Sequence, residues 1–222
     1  VQDKTETLAY AMADSPMGPF TFTGIIMDES PSGCWTNHHS ITEYNGQWYL
    51  FYHHNDYSPN FDKNRSARID SLFFNTDGTI KKVKPTLRGV GITDARSKIQ
   101  IDRYSTISPY GVTIDYLEPS NTFEGWQTLF NRAGTWVTYN KVDFGTTPVK
   151  RLKARVRSEK GGAITLRTPG EKGMTIAELP IKPTGKWTEI STNVSNAPTS
   201  MQDLIITQTG ENPVAVDWIS FE

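Results

Sequence analysis

Cysteine is almost missing from these 222 residues: Cys34 stands alone, so no disulfide can close within the chain and no paired-thiol motif exists. Neither an HExxH nor a CxxC spacing occurs, which removes the common zinc-site signatures. Long apolar runs are also absent; no window approaches the roughly 18 residues that a membrane-crossing helix requires. Charge of one sign is missing as well, because 23 Lys and Arg stand against 24 Asp and Glu. A formal net charge of −1 provides no electrostatic footprint for nucleic acid. The one dense basic run, Lys150-Arg151-Leu152-Lys153-Ala154-Arg155-Val156-Arg157, alternates charged with apolar residues, as a half-buried strand does when its polar face meets water. No charged-then-apolar leader follows Val1, so no targeting signal is legible and the natural start is expected to lie upstream.

What the sequence does have is aromatic side chains, 11% of residues, together with 17 Gly and 13 Pro. That mixture favours short strands joined by tight turns and predicts an all-β protein. Its most informative stretch is Tyr44-Asn45-Gly46-Gln47-Trp48-Tyr49-Leu50-Phe51-Tyr52-His53. Asn-Gly between two runs of β-formers predicts a type I′ hairpin, whose two central residues need positive φ. All four histidines flank this hairpin, as His38, His39, His53 and His54. Their clustering marks a candidate site, and pairing across the hairpin puts His38 and His53 on adjacent strands; a packed strand histidine is the plainer alternative.

Two regions follow from the punctuation. A first region of short strands, near 7–12, 20–27, 38–44, 47–53, 66–74 and 79–83, ends in Lys84-Pro85-Thr86-Leu87-Arg88-Gly89-Val90-Gly91. An irregular stretch then leads to Ser108-Pro109-Tyr110-Gly111, which places the domain boundary near Ser108, with domains at 1–108 and 109–222. The second region shows alternating strands with turn signals roughly every ten residues, among them Gly161-Gly162, Pro169-Gly170 and Pro183-Thr184-Gly185, and this predicts a β-sandwich.

In the first region, Asn37-His38-His39-Ser40-Ile41 with the hairpin, the preceding Tyr10-Ala11-Met12-Ala13-Asp14-Ser15-Pro16-Met17-Gly18-Pro19-Phe20 and the following Arg65 to Asn75 and Asp77-Gly78-Thr79-Ile80 resemble the late blades of family 43 glycoside hydrolases. The resemblance implies the last part of a five-bladed β-propeller, less than two blades, completed by N-terminal blades of the same protein. It places the catalytic base, the acid and the carboxylate that tunes the acid upstream of Val1, so none of the catalytic residues is expected in this chain. Asp14, Glu43, Asp56, Asp62 and Asp70 stand in no such motif. The resemblance carries over His38, as an auxiliary residue facing the central channel near a calcium ion or ordered water, and Arg65, as a partner of a carboxylate or sugar hydroxyls; a surface arginine is the alternative for the latter.

In the second region, Trp136-Val137-Thr138-Tyr139-Asn140-Lys141-Val142-Asp143-Phe144-Gly145, Pro183-Thr184-Gly185-Lys186-Trp187 and Val216-Asp217-Trp218-Ile219-Ser220-Phe221 resemble a family 6 carbohydrate-binding module, a jelly-roll β-sandwich. The resemblance implies sugar stacking on Trp136 or Trp187, core filling being the open alternative for each, with Tyr139, Phe144, Trp218 and Phe221 in the core. It also implies a structural calcium held by Asp217, with Glu118 in the region of a further ligand; pairing of Asp217 with a basic residue is the alternative. Ala215 stands where binding members often carry asparagine, which puts the usual loop-end sugar site in question.

Together the resemblances imply a portion of an inverting glycosidase acting on arabinofuranosyl or xylosyl linkages, with arabinoxylan, arabinan or xylan as partner, calcium as the sole expected cofactor, and secretion or a periplasmic location. A non-catalytic sugar-binding protein or a buttressing domain are the alternatives.

Overall fold

The computed structural model describes residues 6–29, 37–55, 65–171 and 173–222. The chain divides into two compact units, Val1–Val90 and Gly91–Glu222. Cys34, Asp56 and Asp62 lie outside the described residues.

In unit 1, β1 (Leu8–Met12) pairs antiparallel with β2 (Thr21–Met27), and a three-stranded sheet runs β3 (Ser40–Tyr44), β4 (Gln47–His54), β5 (Ser66–Leu72). The hairpin between β3 and β4 turns through Asn45 at φ 50° and Gly46 at φ 76°, the two positive angles a type I′ turn demands. Leu8, Ile26, Met27, Leu50, Tyr52, Leu72 and Val83 form the buried cluster of this unit. The closing strand expected near 79–83 is reduced to a bridge between Phe74 and Ile80, set by the turn at Gly78 (φ 82°). These sheets have the all-β character of propeller blades.

In unit 2 the strands are β6 (Thr93–Asp94), β7 (Ile99–Gln100), β8 (Thr106–Ile107), β9 (Val112–Tyr116), β10 (Trp126–Phe130), β11 (Trp136–Asp143), β12 (Arg151–Arg157), β13 (Gly162–Arg167), β14 (Thr175–Ile181), β15 (Thr188–Asn193), β16 (Met201–Gln208) and β17 (Val214–Phe221). They form two six-stranded sheets. One runs β15-β12-β17-β10-β9 with β7 also on β17; the other runs β14-β13-β16-β11-β6 with β8 also on β11. This is the expected β-sandwich. β12 alternates as its sequence predicts, with Leu152, Ala154 and Val156 wholly buried between arginine and lysine side chains. Tyr139, Phe144, Trp218 and Phe221 are all buried, and the Phe144 and Phe221 rings meet edge to face at 5.1 Å.

The short strands between Thr93 and Ile107 belong to the sheets of unit 2, whereas the sequence places the boundary after them, near Ser108. Two-residue strands carry no periodicity of their own, so only their pairing with β11 and β17 reveals them. Among the described residues no helix is long and apolar enough to cross a membrane.

Candidate functional site

In unit 1 the histidines converge at the far end of the hairpin. β4 begins after the tight turn and delivers His53 and His54 to its last two positions, where both are buried. His38 precedes β3, which starts only at Ser40, so it is not on a paired strand as the sequence predicts. The register still brings it to His53: the His38 backbone N–H donates to His53 Nε2 at 3.0 Å, and the two rings meet edge to face at 5.6 Å. A side-chain acceptor therefore replaces the ladder partner. Because Nε2 accepts, the His53 proton resides on Nδ1. Burial first, then the positive charges of Arg65 and His38, hold the His53 imidazole below its ordinary pKa.

A hollow of about 340 Å³ is lined by His38, His39, Phe51, His53 and Arg65, which brings the two sequence-derived residues of this unit into one place. His38 and Arg65 are both exposed there. Behind it, Arg68 Nε donates to His54 Nε2 at 2.7 Å, and Arg68 Nη1 donates to the Leu87 carbonyl at 2.8 Å. Among the described residues, the hollow at His38 is lined by imidazoles, the Arg65 guanidinium and only a few oxygen-bearing side chains, Ser40 and Tyr52, with the Glu6 carboxylate bound to the adjacent Asn37 amide, a set short of the six or more oxygen ligands that a hard cation prefers. Among the described residues, no group of three His, Cys, Asp or Glu side chains could hold a metal ion.

In unit 2 the expected calcium ligand Asp217 does not fit that role either. Its Oδ2 accepts from Arg155 Nη1 at 2.7 Å, and a guanidinium at that distance repels a cation. Burial raises the Asp217 carboxyl above its ordinary value, and the Arg155 hydrogen bond works against that rise. Glu118 is turned to its own loop, where its carboxylate accepts from the Ser120 amide and hydroxyl, and those bonds hold it below the usual carboxylate range.

The two tryptophans differ. Trp136, the first residue of β11, is half-buried and lines a hollow of about 260 Å³ with Thr138, Arg167, Ile205 and Thr207, and Gly134 leaves its rim open. These side chains come from β11, β16 and β13, whose registers put Trp136 opposite Thr207 and Arg167 opposite Ile205. A ring floor with hydroxyls around it suits a sugar face. Trp187 is also half-buried, but the Arg155 and Arg157 guanidinium groups sit 5.4 and 5.1 Å from its ring centroid. At least one of its faces is thus covered by cations. Arg157, Ala215 and Leu129 line a further cavity that sequence reading missed, because Arg157 meets Ala215 only through the pairing of β12 with β17.

The family described as carbohydrate binding module (family 6) matches residues 108–222. The chain belongs to this family. Over both units it is also similar to enzymes: an arabinoxylan arabinofuranohydrolase of Paenibacillus polymyxa is 28% identical over 219 residues, covering 91% of this chain and 34% of that protein. A crystal structure of a glycoside hydrolase family 43 arabinoxylan arabinofuranohydrolase from Bacillus subtilis, in complex with cellotetraose, superposes with a TM-score of 0.65 at 25% identity, covering 96% of this chain and 47% of that one. A family 6 carbohydrate-binding module from Clostridium cellulolyticum, in complex with xylose, superposes at 0.52 with 28% identity over 59% of this chain and 99% of that one. The chain therefore spans between a third and a half of the length of the two enzymes, and the family 6 module is carried behind a unit similar to family 43 hydrolases.

Proposed function

We propose that these residues form part of a plant-polysaccharide glycosidase acting on arabinofuranosyl or xylosyl linkages, in which unit 2 is the module that holds the polysaccharide. The observation that carries this is the similarity of both units, in this order, to arabinoxylan arabinofuranohydrolases. In the proposed arrangement Trp136 is the stacking platform and the chain is retained on arabinoxylan or xylan through it. His38 and Arg65 border the sugar-binding channel: Arg65 donates to hydroxyls or to a carboxylate, and His53 fixes the backbone that presents His38. The acid and base carboxylates of an inverting hydrolysis, one protonating the leaving oxygen and one activating water, come from preceding blades. No step is assigned to calcium, because neither His38 nor Asp217 has the surroundings for it.

Two measurements test this. Affinity electrophoresis in arabinoxylan should retard the chain, and Trp136→Ala should abolish the retardation; unchanged retention would remove Trp136 from the site. Release of the aryl group from an aryl α-L-arabinofuranoside and an aryl β-D-xyloside should be undetectable with the 222 residues alone and appear when the preceding blades are supplied. Turnover by the chain alone would relocate the chemistry to its own carboxylates. A buttressing role for unit 2 draws support from Ala215 and from the cations over Trp187, and it is the outcome if no polysaccharide retards the chain.

A further inference from the structure

The hollow at Trp136 holds a cation that nothing in the chain engages. On β11, β16 and β13 the side chains alternate: Val137, Ile206 and Leu166 are wholly buried, which turns Trp136, Thr138, Ile205, Thr207 and Arg167 to the outer face of the sheet. Trp136 stands opposite Thr207 and Arg167 opposite Ile205, so Arg167 lies two strands from Trp136, about 10 Å across the sheet. The hollow of about 260 Å³ lies between them. That is below the roughly 300 to 1,000 Å³ of small-molecule pockets, so it takes one sugar ring rather than a run of backbone.

Arg167 is exposed, and among the described residues it makes no hydrogen bond, ion pair or ring contact. Arg96, Arg132, Arg151, Arg155 and Arg157 of the same unit each rest on a carbonyl, a ring, a hydroxyl or a carboxylate. The acids on the adjoining strands do not take up Arg167: Asp203 of β16 accepts from the Lys141 amide at 2.9 Å, and Glu178 of β14 stands opposite Thr165. The hollow is also short of acceptors. Trp136 and Arg167 can only donate, the Thr138 hydroxyl is engaged with that of Thr106 at 2.6 Å, and among the described residues no carboxylate or carboxamide lines the wall. A neutral sugar, whose hydroxyls donate as well as accept, finds few acceptors there. A carboxylate only accepts, and it meets the guanidinium fork with two parallel hydrogen bonds.

We propose that Arg167 makes the Trp136 site selective for an acidic sugar: a single uronic acid ring, carried as a branch on the polysaccharide, stacks on Trp136 and places its carboxylate on both arms of the Arg167 guanidinium. The proposal rests on Trp136 being the stacking platform of unit 2, and it names the residue that decides which sugar the platform takes. The module then gathers on acid-substituted stretches of a polysaccharide in preference to neutral stretches of the same backbone.

The test is calorimetric titration of the 222-residue chain with a xylo-oligosaccharide bearing one glucuronic acid branch, and with the same oligosaccharide after reduction of its carboxyl to an alcohol. The acidic form should bind about tenfold more tightly at low salt, a preference of ~1.4 kcal/mol that shrinks as ionic strength rises. Arg167→Gln should bring the two affinities within about twofold and leave the melting temperature in place, because the side chain has no partner in the fold to lose. Arg167→Lys, which keeps the charge without the fork, should retain part of the preference. Arg157→Gln, in the other sheet, should leave it unchanged. A preference that survives Arg167→Gln, or that vanishes in Arg157→Gln instead, would overturn the proposal. Equal binding of both oligosaccharides, lost in Trp136→Ala, would overturn it too while the platform reading stood, and binding of neither would overturn both.

Discussion

Asp70 is buried and accepts three hydrogen bonds: from the Tyr52 hydroxyl at 2.6 Å, the Thr86 amide at 3.0 Å and the Thr86 hydroxyl at 2.6 Å. It therefore ties β4, β5 and the loop beyond them around one charge, and it is an anchor rather than an acid or base. Removing it leaves the buried Tyr52 hydroxyl without its acceptor and frees both donors of the exposed Thr86, so Asp70→Ala should destabilise unit 1 by about 2 kcal/mol, measurable as accelerated amide exchange across β4 and β5. Burial first, and then the Asp70 carboxylate, push the Tyr52 phenol far above its ordinary value of 10.0. A raised folded pKa means that the stabilisation is complete below about pH 10 and is lost as pH climbs beyond it. Titration followed at 295 nm should show one tyrosine resisting ionisation until unit 1 unfolds, and Tyr52→Phe should remove that late step. Little of this was legible beforehand: Asp70 reads as one acid among several until Thr86, sixteen positions away, is folded onto it.

Elements were legible in proportion to how locally they are determined. The Asn45-Gly46 hairpin and the alternation of β12 are written in consecutive residues, and both formed as expected. The strands from Thr93 to Ile107 are not, since each has two residues and is held by β11 or β17 far downstream. They nevertheless bury Ala95, Ile99, Ile101 and Tyr104 in unit 2. Arg96, in the same stretch, donates to the Phe144 and Thr147 carbonyls at 2.5 and 2.6 Å and pins the loop between β11 and β12. At about 1.5 to 3 kcal/mol per large apolar side chain, losing this stretch removes a major part of the 5 to 15 kcal/mol typical of a domain. A fragment of residues 91–222 should melt cooperatively, whereas one of residues 109–222 should melt at least about 10 °C lower or not fold. Coincident melting curves by circular dichroism would show that the short strands contribute little.

At the scale of the whole molecule the two units differ in what they leave uncovered. Unit 1 exposes Phe20, Phe22 and Phe73 by 63, 69 and 54%, and its β1-β2 pair is a two-stranded sheet, an arrangement of marginal stability by itself. In the glycosidase reading these surfaces and strand edges are the places where preceding blades pack, as a propeller closes its ring. Unit 2 has two six-stranded sheets around a core in which β17 is buried at every residue. Unit 2 also exposes large apolar residues, Phe123 by 98% and Ile92 by 59%, so what sets unit 1 apart is its short sheets of two and three strands. The 222-residue chain should bind a hydrophobic dye and grow in apparent mass as concentration rises, Phe22→Ser should weaken both effects, and residues 91–222 alone should show both more weakly. Coexpression with the preceding blades should suppress dye binding at constant amounts of chain. A monodisperse chain with no dye binding would mean that unit 1 needs no cover, and the family 43 assignment would then lose its structural consequence while the module assignment of unit 2 kept its own support.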